Sequence, residues 1–420
     1  MSHNDGRSGR EKYDTSRPRH RSCIVEQTEV YRIVSDPSLF KFFDSSVCED
    51  LGALPVADES RMRNAGWASP EVVDELWAQK NRLDGLFDAG KGDIYYRIRD
   101  QQFPQDRKGS TKFANRAGDK LWQVATALQD GLFDPLPPHS AFFDICGGPG
   151  AFSQLLLDKY SEFRAGYGMT LRVPMTSSND YWYKILETHS RFHILWGADD
   201  QGDVYVPENL DSAVSAVKDE RVSVVVSDGG FKIQKLDDKH MENLQELFSG
   251  RIVLAEFCLC LLIAAEKAHF VVKLFDSFSN LTVSLIYIAT LVFEEVYIVK
   301  PLKSRIVNSE RYLAAKRRRP ESEVTKFCTQ LLKDVHKSIY QYSMEHPEGH
   351  YSPNSVVPME ALHQDNVFMR CIIDMNNELA TKQAAALKQV MDAAEPDYAE
   401  YNKMEQRRIR FGSPPSSSSR

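Results

Sequence analysis

No two cysteines in this 420-residue sequence stand as a CxxC pair, and seven cysteines over such a length make neither a disulfide framework nor a zinc ribbon. Cys258 and Cys260 read as buried thiols instead. Long apolar runs are missing too. The two longest, residues 252–265 and 281–293, are broken by Glu256 and by Thr282 and Ser284, and both fall short of the ~20 residues that a spanning helix needs. Residues 1–22 carry Arg7, Arg10, Arg17, Arg19 and Arg21 but no apolar heart of a secretory signal, so the protein is expected to stay inside the cell, away from membranes. An overall excess of positive charge is absent as well. The net charge of -7 is not the basic footprint of a typical phosphate binder. The charge is uneven, however: Lys300, Lys303, Arg305, Arg311, Lys316, Arg317, Arg318 and Arg319 crowd a stretch whose one acid is Glu310. That stretch is either an RNA contact or an ordinary solvated surface.

What is present is the balance of a globular chain, 42% hydrophobic and 26% charged, long enough for one large domain with appendages or for two domains. Residues 1–22 and 412–420, poor in apolar side chains, are expected to be disordered tails that serve as tethers or recruitment segments. Residues 23–109 read as a helical extension. Ser69, Pro70 and Glu71 make a helix start, followed by Val72, Val73, Leu76 and Trp77 at helical spacing. From about 110 to 319 short apolar strands alternate with helical stretches; the strands are expected at 141–146, 165–171, 193–196, 222–227, 269–275, 295–300 and 311–315. Such alternation predicts an α/β, Rossmann-like fold with a mainly parallel sheet covered on both faces. Residues 320–411 read as helical again, over 324–342 and 359–391. No solenoid repeat is visible.

Chemistry concentrates at strand ends. After the first strand, Asp144 is followed by Ile145 and the turn Cys146-Gly147-Gly148-Pro149-Gly150-Ala151-Phe152, and a helix is expected to begin near Phe152. Glycines there let a ligand approach the backbone, and a helix N-terminus offers oriented amides. The turn does not match GxGxxG, which disfavours nicotinamide and flavin; its wide DxCGGPGxF form suits the amino-acid end of S-adenosylmethionine, and a glycine turn without a ligand is the plain alternative. Asp228 closes the buried strand 222–227, either facing the same crevice or capping a turn. Lys273 stands alone in the apolar strand 269–275, so it is either a snorkelling strand end or a tuned catalytic group.

Four blocks in order carry a resemblance. They are Ala114-Asn115-Arg116-Ala117-Gly118-Asp119-Lys120, the glycine turn, Ser227-Asp228-Gly229-Gly230-Phe231 with Asn243-Leu244-Gln245, and Val272-Lys273-Leu274-Phe275-Asp276 with the segment from Ser304 through Asn308-Ser309-Glu310-Arg311-Tyr312. Over roughly residues 110–316 the chain resembles the FtsJ-like RNA ribose 2'-O-methyltransferases, and within them the messenger RNA cap methyltransferases; its compact form is similar to the trypanosomatid type. The resemblance implies a catalytic tetrad of Lys120, Asp228, Lys273 and Glu310. It implies S-adenosylmethionine held by Asn115, the turn of Cys146, Gly147, Gly148, Pro149, Gly150, Ala151 and Phe152, and Asp203, Val204 and Asp228. Asn243, Leu244, Gln245 and Asn308 match substrate-contacting positions, and Lys80, Arg97 and Arg99 lie where relatives place triphosphate contacts, although for any one of them a helix-surface salt bridge is the favoured reading. Two departures stand out: Ala151 replaces the second glycine after the proline in the family's usual GGPGGF, and Arg305-Ile306-Val307-Asn308 lacks the proline usual before Ala-Asn-Ser-Glu-Arg.

The resemblance implies methylation of a ribose 2'-hydroxyl on the first or second transcribed nucleotide of 5'-capped mRNA or spliced-leader-type RNA. Because capping accompanies transcription, action in the nucleus is expected, with the tails as contacts to capping or transcription machinery; no metal is required, since the leaving group departs neutral and no phosphate is cleaved. The rivals are a ribosomal or transfer RNA ribose methyltransferase and a non-catalytic RNA-binding subunit. A lysine walled by aliphatic residues and near a second cation is expected to lose its proton more easily than usual. On that ground Lys273 is expected to accept or relay the hydroxyl proton, with Lys120 helping to hold the oxygen.

Overall fold

A computed structural model of the chain describes residues 27–43, 53–55, 58–104, 113, 115–172, 182–230, 235–236, 239–240 and 242–411. Both expected tails, and Ala114 and Phe231 of the motif blocks, lie outside them. Among the described residues, eight strands join in one sheet: β1 (Glu29–Ile33), β2 (Ser140–Ile145), β3 (Phe163–Met169), β4 (Phe192–Leu195), β5 (Val222–Ser227), β6 (His269–Phe275), β7 (Phe293–Lys300) and β8 (Glu310–Arg318). Their order in space is β1-β7-β8-β6-β5-β2-β3-β4. The five strands from β6 to β4 run parallel, and β8, β7 and β1 add antiparallel partners. The chain runs outward from β2 to β3 and β4, then returns to lay β5 on the other side of β2. The order therefore reverses between β2 and β5, and the crevice beyond the carboxyl ends of such strands is where ligands bind.

The helices that matter for the site are α1 (Pro70–Asp88), α2 (Gly92–Gln102), α3 (Arg116–Ala127), α4 (Ala151–Lys159), α5 (Pro207–Ala216), α6 (Gln245–Ile263), α7 (Asn280–Val292), α8 (Glu323–Glu345) and α9 (Asn366–Phe411). Every residue of β5 is buried, because its side chains feed two cores, one on each side of the sheet. Val224 and Val226 pack with Leu121 and Val124 of α3 and with Phe152 and Leu155 of α4. Val222 and Val225 pack with α6 and α7. A third core forms where Leu76, Leu83 and Ile98 of α1 and α2 meet Ala384, Leu387 and Val390 of α9. Full burial of each such aliphatic side chain contributes about 1.5–3 kcal/mol relative to exposure. The apolar runs at 252–265 and 281–293 are core helices, Cys258 and Cys260 among them; among the described residues no helix is long and apolar enough to cross a membrane.

Two segments differ from the sequence reading. The stretch 23–109 is not purely helical, since β1 pairs with β7 along Glu29↔Lys300 to Ile33↔Val296, and Ala53–Pro55 pairs with Tyr351–Pro353. The period of β1 is hidden because Glu29 is buried on the same face as Ile33 while Val30 is exposed. The stretch 359–391 breaks after the short helix Met359–Gln364, where Asp365 Oδ1 accepts from the Phe368 N–H at 2.9 Å and starts α9. That helix then runs on to Phe411 with Pro396 inside it.

Candidate active site

The glycine turn leaves β2 with Cys146 at φ 56° and enters α4 through Gly150 at φ 107°. Side chains are excluded from it: a Cβ on Gly147 would lie 2.3 Å from the Asp144 carboxyl carbon, and one on Gly150 would lie 2.1 Å from Leu186. Ala151 is already the first helical residue and is buried, so it needs no freedom that only glycine has. Behind the turn, Asp144 Oδ2 accepts from the N–H and the hydroxyl of Ser153 at 3.1 and 2.6 Å. Its Oδ1 is buried without a partner, and burial pushes the carboxyl up to about 7 against those donors. The Phe152 side chain lies in the core, its ring 6.3 Å from that of Tyr312.

Asn115 caps α3, its Oδ1 accepting from the Ala117 N–H at 2.7 Å, while its amide nitrogen donates to the Tyr183 hydroxyl at 3.0 Å. Asp203 folds back on its own loop, accepting from the Tyr205 N–H at 2.8 Å. The Val204 side chain is buried, and its carbonyl is within 2.9 Å of His336 Nε2 on α8.

At the carboxyl ends of β5 and β6 the four residues of the implied tetrad meet. Lys273 Nζ donates to the Asp228 carbonyl at 2.7 Å and lies 3.2 Å from its Oδ1. Lys120, from α3, reaches Glu310 at 2.6 and 2.8 Å. Tyr312 joins the two pairs, its hydroxyl lying 3.0 Å from Asp228 Oδ1 and 3.1 Å from Glu310 Oε1. β8 supplies both Glu310 and Tyr312 because residues two apart on a strand share a face, and Tyr312 stands opposite Lys273 in the register. In the sequence Tyr312 carries no signal beyond its place in the motif, two residues after Glu310 on an expected strand.

The electrostatics overturn one expectation. Burial does press the Lys273 amine to release its proton, but Asp228 and Glu310 outweigh it, and the amine is held above its ordinary value rather than below it. Burial alone would raise the Glu310 carboxyl, yet Lys120 and Lys273 hold it down to about 2. At rest Lys273 is thus an ammonium group between carboxylates. The aliphatic neighbours in sequence do not decide its charge.

A cavity of about 600 Å³ opens beside Glu310. Phe87, Tyr95, Tyr96 and Arg99 line it on the side of α1 and α2, and Glu242, Gln245 and Asn308 line it near the strand ends. The Arg99 guanidinium stands 4.9 Å from the Tyr96 ring centre and pairs with Asp100 at 2.8 Å. Burial pushes the Glu242 carboxyl up to about 7, with Lys80 opposing and Asp84 adding. Sequence reasoning missed Phe87, Tyr95, Tyr96 and Glu242, although Glu242 directly precedes the block from Asn243 to Gln245.

The remaining residues divide. Lys80 lines the cavity but is buried against Asp276 at 2.7 Å. Asn308 lines it and is held by its side-chain bond to the Ser304 carbonyl at 3.0 Å. Asn243 is buried and donates to Asn81 at 2.8 Å. Two expectations need correction. Leu244 is fully buried in the core between α1 and α9, so its part is packing. Arg97, also offered as a triphosphate contact, reaches across to Asp397 of α9 at 2.7 Å, the surface salt bridge that was its favoured reading.

The family model described as FtsJ-like methyltransferase matches residues 113–318. A Trypanosoma cruzi protein named "Cap-specific mRNA (nucleoside-2'-O-)-methyltransferase 1" is 33% identical over 339 residues, 76% of this chain and 86% of that protein. Its namesake in Leishmania braziliensis is 33% identical over 340 residues, 76% and 79% of the two chains. The Trypanosoma brucei brucei protein of that name is 32% identical over 338 residues, 77% and 84%.

Proposed function

The chain belongs to the FtsJ-like methyltransferase family, and on that premise we propose that it methylates the ribose 2'-hydroxyl of the first or second transcribed nucleotide of 5'-capped mRNA or spliced-leader-type RNA, with S-adenosylmethionine as donor. The observation that carries the reading is the contact of Lys120, Asp228, Lys273, Glu310 and Tyr312, with Glu310 also lining a cavity that has aromatic and carboxylate walls. Mass spectrometry of nuclease-digested product from capped and uncapped RNA tests it. Methylated ribose next to the cap is expected from capped RNA; equal labelling of uncapped RNA would favour a ribosomal or transfer RNA substrate. Cofactor binding with no transfer to either would favour a non-catalytic subunit.

The residues present fit the donor. The cradle at Gly147 and Gly150, the amides at the start of α4 and the unpartnered oxygen of Asp144 behind them suit an amino acid carrying both charges. Asp203 and Val204 would hold the adenine, and Asn115 the mouth of the site. When bound, S-adenosylmethionine supplies a methyl group on a sulfonium, a neutral leaving group, and a positive charge that opposes the hold of the carboxylates on the Lys273 proton.

The protein's own part is placement and proton handling. Asp228 fixes Lys273 Nζ through two oxygens, and Glu310 fixes Lys120 Nζ, so two cations point at one region where a ribose oxygen gains negative charge. Lys273 as ammonium orients that hydroxyl by donating to it. To take the hydroxyl proton the amine must first release its own, so proton release from Lys273 precedes transfer at neutral pH. Positioning of the oxygen supplies much of the remaining rate.

A methylated guanine carries positive charge, which favours aromatic faces and carboxylates. Tyr95, Tyr96, Phe87 and Glu242 offer both within one cavity, and Arg99 faces the same space for the triphosphate, while Lys80, sealed against Asp276, only shapes the wall. Asn308 and Glu310 at its inner edge would set the transcribed nucleotide against the tetrad. Because capping accompanies transcription, the proposal includes action in the nucleus.

A further inference from the structure

We propose that Glu256 is a positioning residue for Lys273, acting across the single peptide unit that joins Asp228 to Gly229. The inference rests on the reading of Lys273 as the group that handles the ribose hydroxyl. The N–H of that peptide unit, on Gly229, donates to Glu256 Oε1 at 3.0 Å. Its carbonyl, on Asp228, accepts from Lys273 Nζ at 2.7 Å. A peptide group is planar and rigid, so α6 grips one edge of the plane and β6 the other. The approach is close enough that a Cβ on Gly229 would lie 2.1 Å from Glu256 Oε1, so the residue after Asp228 must be glycine for the grip to exist.

Glu256 is wholly buried, and its second oxygen, Oε2, lacks a hydrogen bond of good geometry although the Ser227 hydroxyl and the Cys146 thiol lie close. As a purely structural element such a carboxyl is poor, since burying it without full hydrogen bonding is costly. Burial pushes it up to about 8 against Ser227, Lys273 and the Gly229 N–H, with Asp228 adding to the rise. It therefore holds a proton at neutral pH and loses it in mild alkali. The groups facing it are Cys146 at the end of β2, Tyr205 on the loop before α5, Ser227 and Asp228 at the end of β5, and Lys273 on β6. Burial drives the Cys146 thiol and the Tyr205 hydroxyl upward, so both stay neutral while Glu256 titrates. The ionised carboxylate would polarise the peptide and make its carbonyl a stronger acceptor. It would also add a third negative charge near the ammonium. Both effects tighten the hold on the Lys273 proton, whereas the neutral acid keeps the grip without adding that charge.

Glu256→Gln keeps an acceptor for the Gly229 N–H and cannot ionise, while Glu256→Leu removes the grip. In the full-length protein acting on capped RNA, Glu256→Leu is expected to lose about tenfold or more in kcat, as for loss of one positioning hydrogen bond, with KM for both substrates unchanged. Glu256→Gln is expected to restore kcat near neutrality and to lack the inflection near 8 in the kcat profile of the parent protein. Independently of turnover, NMR of carbon-labelled lysine in protein without donor should show the Lys273 amine releasing its proton at lower pH in Glu256→Gln than in the parent. Parental kcat in Glu256→Leu, or a parental profile and Lys273 titration in Glu256→Gln, would overturn the proposal. If Glu256→Leu does not fold, the two pH measurements on Glu256→Gln decide alone. Failure of the parent protein to methylate capped RNA would count against the functional reading instead, and the NMR titration would still decide the link to Glu256.

Discussion

The quartet of Lys120, Asp228, Lys273 and Glu310 and the trio of Lys80, Asp276 and Arg311 are made from the same kinds of side chain at the same end of the sheet. Neighbours on β8 even divide between them, Glu310 to the quartet and Arg311 to the trio, because successive strand residues face opposite ways. In the trio, Asp276 takes Lys80 at 2.7 Å and Arg311 at 2.9 Å, and all three side chains are 2–3% exposed. In the quartet each side chain keeps 11–23% of its surface accessible. Opposite charges in contact are thus no mark of a reactive site by themselves. The sealed trio ties α1 to the strands; the open quartet keeps its polar atoms within reach of a substrate oxygen.

Breaking each cluster at one residue should separate these roles. Lys273→Ala is expected to lower methyl transfer by about 10²–10⁴-fold, the span usual for a proton-handling group. Its loss of unfolding free energy should be smaller than that from breaking the sealed trio, since water can reach the partly exposed site and Lys120 remains beside Glu310. Transfer of labelled methyl together with urea denaturation checks both halves, and retained activity would remove Lys273 from the mechanism. Asp276→Asn should do the reverse. Asparagine tolerates the positive φ of 52° at this position, so the substitution isolates the charge and takes from the buried Lys80 and Arg311 the carboxylate that both contact. A loss of about 3–5 kcal/mol of stability is expected, read as a lower urea midpoint; unchanged stability would mean that the trio does not act as a unit.

The same contrast explains what could be read from sequence. Local pattern marks two of the four, Asp228 closing a buried strand and Lys273 alone in an apolar one, whereas Lys120 and Glu310 enter only through the motif blocks that carry the family resemblance. The protonation of Lys273 could not be read there. Val272 and Leu274 suggest a lowered value, but Asp228 and Glu310 set it, and both are distant in the chain and near only in the fold. Strand β5 showed itself as an unbroken apolar run, whereas β1 did not, because an edge strand of five residues with Glu29 inside and Val30 outside has no clear alternation. Phe87, Tyr95 and Tyr96 were indistinguishable from the other members of a set of 22 Phe and 17 Tyr. Only their convergence with Glu242 on one cavity singles them out.

The cavity offers a smaller, sharper test of the open side. Glu242 holds a carboxyl raised to about 7 by burial, so in the free protein it is largely neutral below that pH and ionised above it. A positively charged guanine should prefer the ionised form. The affinity for a methylated cap analogue is therefore expected to rise as pH increases through about 7 and then level off. Glu242→Gln should weaken binding by about tenfold on the alkaline side, consistent with loss of one charge-assisted hydrogen bond, and should flatten the dependence. Subtracting the two pH curves removes any titration of the analogue itself. Identical curves would place the guanine elsewhere.

The least effect is expected at the departure from the family's glycine turn. Ala151 is the first residue of α4, buried, with its backbone already helical, so Ala151→Gly gains no conformation that the turn requires and loses a methyl group from the core. Glycine within a helix is about 0.8–1.0 kcal/mol less favourable than alanine, a penalty partly relieved at the first position. Calorimetry of S-adenosylmethionine binding should show affinity unchanged within about twofold, with stability lowered by under about 1 kcal/mol. Gly147 and Gly150 are the contrasting positions in the same loop, because a methyl group there would strike Asp144 or Leu186. Gly150→Ala should therefore impair binding where Ala151→Gly does not. Equal responses at the two sites would show that helix geometry at Ala151 does not explain why the departure is tolerated.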